Sequence, residues 1–168
     1  MAKDCAVKTR YGTFNGFVDG NGVSTWLGIP YDQPPVGKLR WQMPQALAPS
    51  DKTFDATKFG NSAIQEDDKL EKASQNTQSE DCLTLNIWRR GDKKNLPVMV
   101  FIHGGCFMHG GSSDPTYSGT HIAKSHDVIV VTFNYRLNIF GFLNFGLIDS
   151  AFEDSGHLGM SDQIAALK

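Results

Sequence analysis

The sequence predicts an α/β protein, because two short and almost continuously apolar runs enclose a segment of helical composition. The runs lie at 97–102 and 127–133, and strands of this kind are covered on both faces in parallel sheets. Residues 120–125 between them predict a short helix, so the three elements form a βαβ unit with a parallel strand pair. Residues 83–88 alternate with a period of two and predict a further strand with one buried face.

The first sixty residues predict a small antiparallel hairpin followed by an irregular coil. Strands are indicated at 13–18 and 23–29, joined by the turn signal Asp-Gly-Asn-Gly at 19–22. Five prolines between positions 30 and 49 exclude a regular element in the next stretch. Because this coil contains Leu39 and Trp41, we expect it to pack onto the rest of the protein.

The segment 61–81 is polar and includes the charged run 66–71. Together with the polar run 74–79, this charged run predicts an acidic, solvated surface loop that contains one helical turn. The chain therefore divides into 1–60 with the hairpin and the coil, 61–81 with the acidic loop, and 82–168 with the first core strands. All three are expected to belong to one incomplete domain.

Charge and composition exclude several classes of protein. The 168 residues include 16 basic and 18 acidic side chains, without the clustered positive charge that nucleic-acid binding requires. The apolar runs are far shorter than the ~20 residues of a membrane-spanning helix. Three cysteines at wide spacing and no apolar leader at the start predict a cytoplasmic protein with free thiols, with a mature secreted chain as the alternative. We expect no metal and no cofactor.

The last ten residues predict the beginning of a helix, with Ser161 as its cap and Asp162 in its first turn. The helical pattern continues to Lys168, and isolated helices this short are marginal in water. We therefore expect the sequence to be cut within a helix; a short C-terminal helix docked on the sheet is the alternative.

A glycine-rich segment, His103-Gly104-Gly105-Cys106-Phe107-Met108-His109-Gly110-Gly111, directly follows the first apolar run. Two glycines at the carboxyl end of a buried strand allow the backbone to approach a ligand closely. Backbone N–H groups in such a loop stabilise the negative charge that develops on a carbonyl oxygen during acyl transfer. The segment predicts one half of an oxyanion hole, with an ordinary tight turn as the alternative.

Short motifs along nearly the whole chain point to one family. They are Leu27-Gly28-Ile29-Pro30-Tyr31, Pro34-Pro35-Val36-Gly37, Ser79-Glu80-Asp81-Cys82-Leu83, Asn134-Tyr135-Arg136-Leu137 and Phe140-Gly141-Phe142-Leu143. In this order they resemble the type-B carboxylesterases, the family of cholinesterases and para-nitrobenzyl esterases. The resemblance implies the N-terminal part of an α/β-hydrolase fold, in which a small antiparallel hairpin precedes the strands of a central, mostly parallel sheet.

The resemblance also implies roles for the glycine-rich segment. The oxyanion donors would be the backbone amides of Gly105 and Cys106, with Gly104 keeping the loop tight and Phe107 contacting the substrate. Cys106 stands where the family usually has glycine or alanine, but the backbone N–H is the group that acts. A thiol nucleophile at Cys106 is a further hypothesis, although no base with an orienting partner is evident around it.

Two structural ion pairs follow from the same resemblance, Arg40 with Glu80 and Arg136 with Asp162, both expected to be partly buried and bidentate. The family's disulfide partner of Cys82 is replaced by Ala63. The sequence has no aromatic residue between Phe59 and Trp88, so choline capture from this loop by a cation–π contact is not expected. A neutral aliphatic or aryl ester is the expected small-molecule substrate.

The nucleophile motif of the family, Gly-x-Ser-x-Gly, does not occur in the sequence. By the resemblance, the chain corresponds to the N-terminal third of a serine carboxylic-ester hydrolase. It would hold the oxyanion loop but not the Ser-Glu/Asp-His triad, and it would be inactive without its expected partner, the remaining C-terminal part of the enzyme. The alternative is a non-catalytic esterase-like module used for binding or adhesion.

Overall fold

The computed structural model describes residues 5–66 and 76–168. Within these residues, seven strands form one sheet in the order β1-β2-β3-β5-β7-β6, and β4 pairs with β2. The strands are β1 (Cys5–Thr9), β2 (Gly12–Val18), β3 (Val23–Pro30), β4 (Thr53–Asp55), β5 (Thr84–Arg90), β6 (Val98–Ile102) and β7 (Ile129–Phe133). The helices are α1 (Thr120–Ser125), α2 (Asn138–Phe142) and α3 (Leu158–Ala166). Short 3₁₀ turns lie at Gly37–Leu39, Pro115–Tyr117, Phe145–Leu147, Ser150–Phe152 and Ser155–His157.

The predicted N-terminal hairpin is confirmed as the antiparallel pair of β2 and β3. Its turn is held by Asp19, whose Oδ1 accepts hydrogen bonds from the amides of Asn21 (2.8 Å) and Val23 (2.9 Å). Two strands that the sequence did not indicate also pair with β2: β1 is antiparallel to it and β4 is parallel. Both are short and form by pairing with β2. For β4, the Phe54 ring also stacks on the Phe14 ring of β2 at 5.2 Å.

The proline-rich coil packs onto the core as predicted. The Trp41 ring contacts Phe140, Phe145 and Phe152, with centroid distances of 6.3, 4.3 and 6.0 Å. Its indole N–H donates a hydrogen bond to the Ile139 carbonyl (3.1 Å). The acidic loop, for which one helical turn is predicted, lies outside the described residues at 67–75.

The βαβ unit is confirmed: α1 has the predicted bounds, and β6 pairs with β7 in parallel. β7 lies in the core, where Phe133 is fully buried. The prediction that β6 is covered on both faces is wrong for the described residues, because Val98 and Met99 are 57% and 47% exposed. β6 has β7 as its one strand neighbour among these residues, and the strands that α1 mainly contacts are β5, β3 and β7.

Strand directions in this part of the sheet are mostly antiparallel. The pairs β1–β2, β2–β3, β3–β5 and β5–β7 are antiparallel. Among the described strands, the expected parallel core is represented by the β6–β7 pair, with β2–β4 as a short second parallel pair. The functional consequence is that β6 and β7 end at the same edge of the sheet, where the glycine-rich segment begins.

The last helix differs from its prediction in where it starts. α3 begins at Leu158, three residues before Ser161, so Ser161 is not the cap; its hydroxyl donates to the His157 carbonyl (3.2 Å) from inside the helix. Asp162 also lies inside the helix and is fully buried. The 3₁₀ turn Ser155–His157 leads directly into Leu158, and no side chain of the described residues caps the first turn of α3. Within the part of the chain that is described, no helix has the length and apolar character needed to cross a bilayer.

Candidate active site

The glycine-rich segment leaves the carboxyl end of β6 and turns sharply. Gly105, Cys106 and Phe107 have φ values of +113°, +55° and +61°. The Gly105 carbonyl closes the turn by accepting hydrogen bonds from the amides of Met108 (2.9 Å) and His109 (3.1 Å). A Cβ atom on Gly105 would lie 1.9 Å from the His109 carbonyl oxygen, so this conformation requires glycine.

The amides at the tip of this turn have no partner in the described part of the chain. No carbonyl or side chain accepts a hydrogen bond there from the amides of Gly104, Gly105 or Cys106. Gly104 and Cys106 are exposed, and Gly105 is partly exposed. Two adjacent unpaired N–H groups can therefore donate to an oxygen atom that carries developing negative charge.

His103 determines the direction in which the Gly105 amide points. Its Nδ1 lies 2.9 Å from the Gly104 carbonyl oxygen, and burial lowers the pKa of the ring, so the imidazole is neutral and donates through Nδ1–H. The carbonyl and the following N–H of a trans peptide point in opposite directions. A hydrogen bond on the Gly104 oxygen thus directs the Gly105 N–H away from His103. Tyr135 holds the ring by stacking on it at 4.6 Å and by donating to the His103 carbonyl (3.1 Å).

The protein is expected to lose stability as the pH falls below about 6.5, the ordinary pKa of histidine, because burial lowers the pKa of folded His103. The unfolded chain then binds more protons than the native chain, so the stability gained from neutral His103 is present above this pH and is lost as the pH falls towards the lowered pKa. The effect is on the order of 1 kcal/mol per pH unit. Urea unfolding between pH 7.5 and 5.0 measures it.

The matched variants for this measurement are His103→Gln and His121→Gln, because His121 is exposed on α1. His103→Gln is expected to flatten the pH dependence of the unfolding free energy, whereas His121→Gln leaves it unchanged. Equal slopes for wild type and His103→Gln would contradict this assignment of the pH effect to His103.

Phe107 and the Cys106 thiol lie at the surface beside these amides. Phe107 is 48% exposed and packs one side of its ring on Phe142 at 4.7 Å. Its other side is available to an apolar group. Cys106 is an exposed free thiol, and in the described residues no side chain hydrogen-bonds to it. A base that would activate it as a nucleophile is therefore not positioned there.

The two ion pairs are present and differ in burial. The Arg136 guanidinium contacts both carboxylate oxygens of Asp162 at 2.7 and 2.8 Å, and the side chains are 3% and 0% exposed. Arg136 also donates to the Gln42 carbonyl (2.8 Å), which joins the segment after β7 to α3 and to the proline-rich coil. Arg40 contacts both oxygens of Glu80, at 2.6 Å for Nη2, with side chains 41% and 18% exposed.

Ala63 and Cys82 lie in the same buried cluster, together with Phe133. All three cysteines of the sequence are free, and burial raises the pKa of the Cys82 thiol. The described residues contain no group of three or more His, Cys, Asp or Glu side chains that would hold a metal ion.

Two side chains that the sequence did not single out contact the glycine-rich segment. Gln65 hydrogen-bonds to Gly110, and Asn138 donates from Nδ2 to the Met108 carbonyl (2.6 Å). Gln65 belongs to a polar segment without periodicity, which gave no signal. Asn138 directly follows the Asn134-Tyr135-Arg136-Leu137 motif and has a φ of +53°. Its position next to this motif was the signal in the sequence that could have identified it.

Comparison with known proteins assigns the chain to a family. Residues 3–168 match the Carboxylesterase family. The chain is 45% identical over 165 residues to the para-nitrobenzyl esterase of Bacillus subtilis, which covers 96% of this chain and 33% of that protein. It is 40% identical over 179 residues to the cholinesterase of Mus musculus, covering 99% of this chain and 29% of that protein.

Solved structures give the same result. A carboxylesterase of Geobacillus stearothermophilus superimposes with a TM-score of 0.87 at 44% identity, over 96% of this chain and 33% of that one. A para-nitrobenzyl esterase structure superimposes with a TM-score of 0.90 at 42% identity, over 98% and 34%. The chain thus spans about one third of the length of the relatives that it matches.

Proposed function

Because this chain belongs to the carboxylesterase family and has the N-terminal part of its α/β-hydrolase fold, we propose that it supplies the oxyanion-hole loop of a serine carboxylic-ester hydrolase. The observation that carries the proposal is the pair of amides at Gly105 and Cys106, after the carboxyl end of β6, which have no hydrogen-bond partner among the described residues. These donors are in place before the reaction, so they stabilise the charged oxygen without reorganisation.

In the proposed reaction, a serine oxygen attacks the ester carbonyl carbon, and the carbonyl oxygen becomes negatively charged. The N–H groups of Gly105 and Cys106 donate to this oxygen, and the residue after the serine supplies a third donor. The intermediate collapses with loss of the alcohol to give an acyl-enzyme, which water then hydrolyses to the carboxylic acid. The serine and the acid and histidine of the triad come from the C-terminal part of the hydrolase, since the sequence lacks Gly-x-Ser-x-Gly; the chain alone is inactive.

The C-terminal part is the proposed partner, and two apolar surfaces support this. One is the exposed strand β6, with Val98 and Met99 open to water. The other is a groove of about 810 Å³ between the sheet and α3, lined by Ile29, Leu85 and Ile164 among others. Covering apolar surface of this kind stabilises an assembly by roughly 25 cal/mol per Å², and the relatives are about three times as long as this chain.

The proposed substrate is a neutral aliphatic or aryl ester. The half-exposed ring of Phe107 provides an apolar contact beside the oxyanion donors, and the sequence between Phe59 and Trp88 has no aromatic residue for binding a quaternary ammonium group. A reducing compartment, the cytoplasm, belongs to the same proposal, because the three thiols are free.

The test is hydrolysis of para-nitrophenyl acetate and butyrate by a polypeptide that continues this chain through the rest of the hydrolase. We expect turnover by this polypeptide, none by the chain alone, and none when the triad serine is replaced by alanine. Failure of the long polypeptide to hydrolyse any such ester would refute the proposal and favour a non-catalytic binding module, for which the missing nucleophile motif is the supporting observation.

A Cys106→Ala variant of the long polypeptide is expected to keep kcat within about threefold of wild type, because the backbone N–H rather than the thiol donates to the oxyanion. Cys5→Ala serves as the matched control, since Cys5 lies on β1, away from the glycine-rich segment. Loss of all activity in Cys106→Ala, with Cys5→Ala active, would instead identify Cys106 as the nucleophile.

A further inference from the structure

We propose that Gln65 is a positioning residue for the oxyanion amides, an inference that rests on the proposed function. Its side-chain amide makes two hydrogen bonds to a single residue of the glycine-rich segment. Nε2 donates to the Gly110 carbonyl (2.8 Å), and the Gly110 amide donates to Oε1 (2.7 Å). This is the pairing that a neighbouring strand would provide, so Gly110 cannot rotate without breaking both bonds.

Gly110 in turn lies against the peptide that carries the Gly105 N–H. A Cβ atom on Gly110 would be 2.6 Å from the Gly104 carbonyl oxygen and 2.6 Å from Nδ1 of His103. The φ of Gly110 is +109°, so this close approach depends on glycine. Gly110 thus confines the Gly104 oxygen on the side where His103 binds it, and the Gly105 N–H must point the opposite way.

Gln65 is itself held from several directions. Its backbone amide donates to Oε1 of Gln78 (2.9 Å), and its Nε2 also lies 3.0 Å from the carbonyl of Ala63, which is buried in the core. A side chain anchored in this way can transmit the rigidity of the core to a loop. Gln65 belongs to the acidic loop 61–81. Through this residue, the loop contributes to the direction of the oxyanion amides.

Asn138 holds the same turn from its other side. Its backbone amide donates to the Phe107 carbonyl (2.9 Å) and its Nδ2 to the carbonyls of Met108 (2.6 Å) and Ile64 (3.3 Å). The Ile64 contact joins Asn138 to the residue before Gln65. The turn is thus held at 107–108 by Asn138 and at Gly110 by Gln65, while the amides between His103 and Phe107 have no partner in the described parts of the chain.

This arrangement predicts a loss that is specific to the transition state. If Gln65 sets the direction of the oxyanion donors, its removal weakens a hydrogen bond that becomes strong only when the carbonyl oxygen is charged. We expect kcat to fall about tenfold or more in Gln65→Ala while KM changes by less than about twofold. Gln65→Met, which keeps the length of the side chain but neither hydrogen bond, is expected to show the same loss.

The experiment uses the polypeptide that contains both this chain and the triad. It measures kcat and KM with para-nitrophenyl butyrate, and inhibition by an alkyl trifluoromethyl ketone, whose adduct with the serine places a negative oxygen in the oxyanion hole. In the Gln65 variants we expect weaker inhibition in proportion to the loss of kcat, and faster amide hydrogen exchange in the peptide covering 103–111. Gln33→Ala is the matched control, because Gln33 makes a similar bond to the Ala46 carbonyl (2.9 Å) within the proline-rich coil.

The outcomes separate the two proposals. Wild type that hydrolyses the ester, together with Gln65 variants that keep kcat and inhibitor affinity, would overturn the role of Gln65 and leave the proposed function intact. Wild type that hydrolyses no ester would overturn the proposed function and this inference with it. A third outcome is that kcat falls only as much as the folded fraction does, while the folded enzyme keeps its affinity for the inhibitor. This would show that Gln65 acts only on stability, and it would also overturn the inference.

Discussion

A Gly105→Ala variant of the complete hydrolase is expected to lose about a hundredfold or more in kcat, the size of effect seen when an oxyanion donor is removed. Gly105 has a φ of +113°, and a Cβ atom there would lie 1.9 Å from the His109 carbonyl oxygen. The turn must therefore open, and its amides no longer point at the substrate. Steady-state kinetics with para-nitrophenyl butyrate measures the loss.

Gly20→Ala is the matched control for this variant, because Gly20 lies in the hairpin turn, outside the glycine-rich segment. A Cβ atom on Gly20 meets no other atom within 4 Å, and Gly20 is not among the residues with positive φ. Both variants make the same chemical change, but only Gly105→Ala disturbs the turn after β6. Circular dichroism verifies that both variants are folded. Similar kcat values for the two variants would show that the conformation at Gly105 is not needed for catalysis.

Replacement of Arg136 by methionine is expected to lower the free energy of unfolding by roughly 3–5 kcal/mol, the cost of leaving one partner of a buried ion pair uncompensated. The carboxylate of Asp162 has no exposed surface, and it accepts hydrogen bonds from Nε, Nη2 and the backbone amide of Arg136. Without the guanidinium, this charge remains buried beside α3. Urea unfolding monitored by tryptophan fluorescence measures the change.

Arg40→Met is the comparison for the second pair. The Arg40 side chain is 41% exposed, so solvent screens its attraction to Glu80, and the expected loss of stability is much smaller than that of Arg136→Met. A double variant, Arg136→Met with Asp162→Leu, is expected to recover part of the stability, because it removes the unpaired charge. If Arg136→Met cost no more than Arg40→Met, burial of the ion pair would not be what stabilises this region.

The local elements were predictable because their signals lie within a few neighbouring residues. The turn at 19–22 needs only Asp19 and the glycines around it, and α1 has the bounds that its composition indicated. The glycine-rich segment was found for the same reason, since its glycines directly follow an apolar strand. β1 and β4 were missed because three to five residues carry too little periodicity; they form by pairing with β2.

The two ion pairs were predicted from a different kind of evidence, which is not local in the sequence. Arg40 lies forty positions from Glu80, and Arg136 lies twenty-six from Asp162, so no local pattern connects them. They were expected only through resemblance to a family. The resemblance implied that both pairs are partly buried and bidentate, which describes Arg40 with Glu80. The nearly complete burial of Arg136 with Asp162 was not evident from it, because that burial depends on which segments cover the pair.

By itself, the sequence determined the hairpin, the parallel βαβ unit, the family and the glycine turn after β6, because dihedral preferences and apolar periodicity act over short distances along the chain. The tertiary structure alone decided that β6 is exposed among the described residues and that the Gly105 and Cys106 amides are unpaired. It also decided that Gln65 and Asn138 hold the turn from two sides. The physical reason is that an amide side chain can bind any nearby backbone group, and only the folded sheet brings one particular group within its reach.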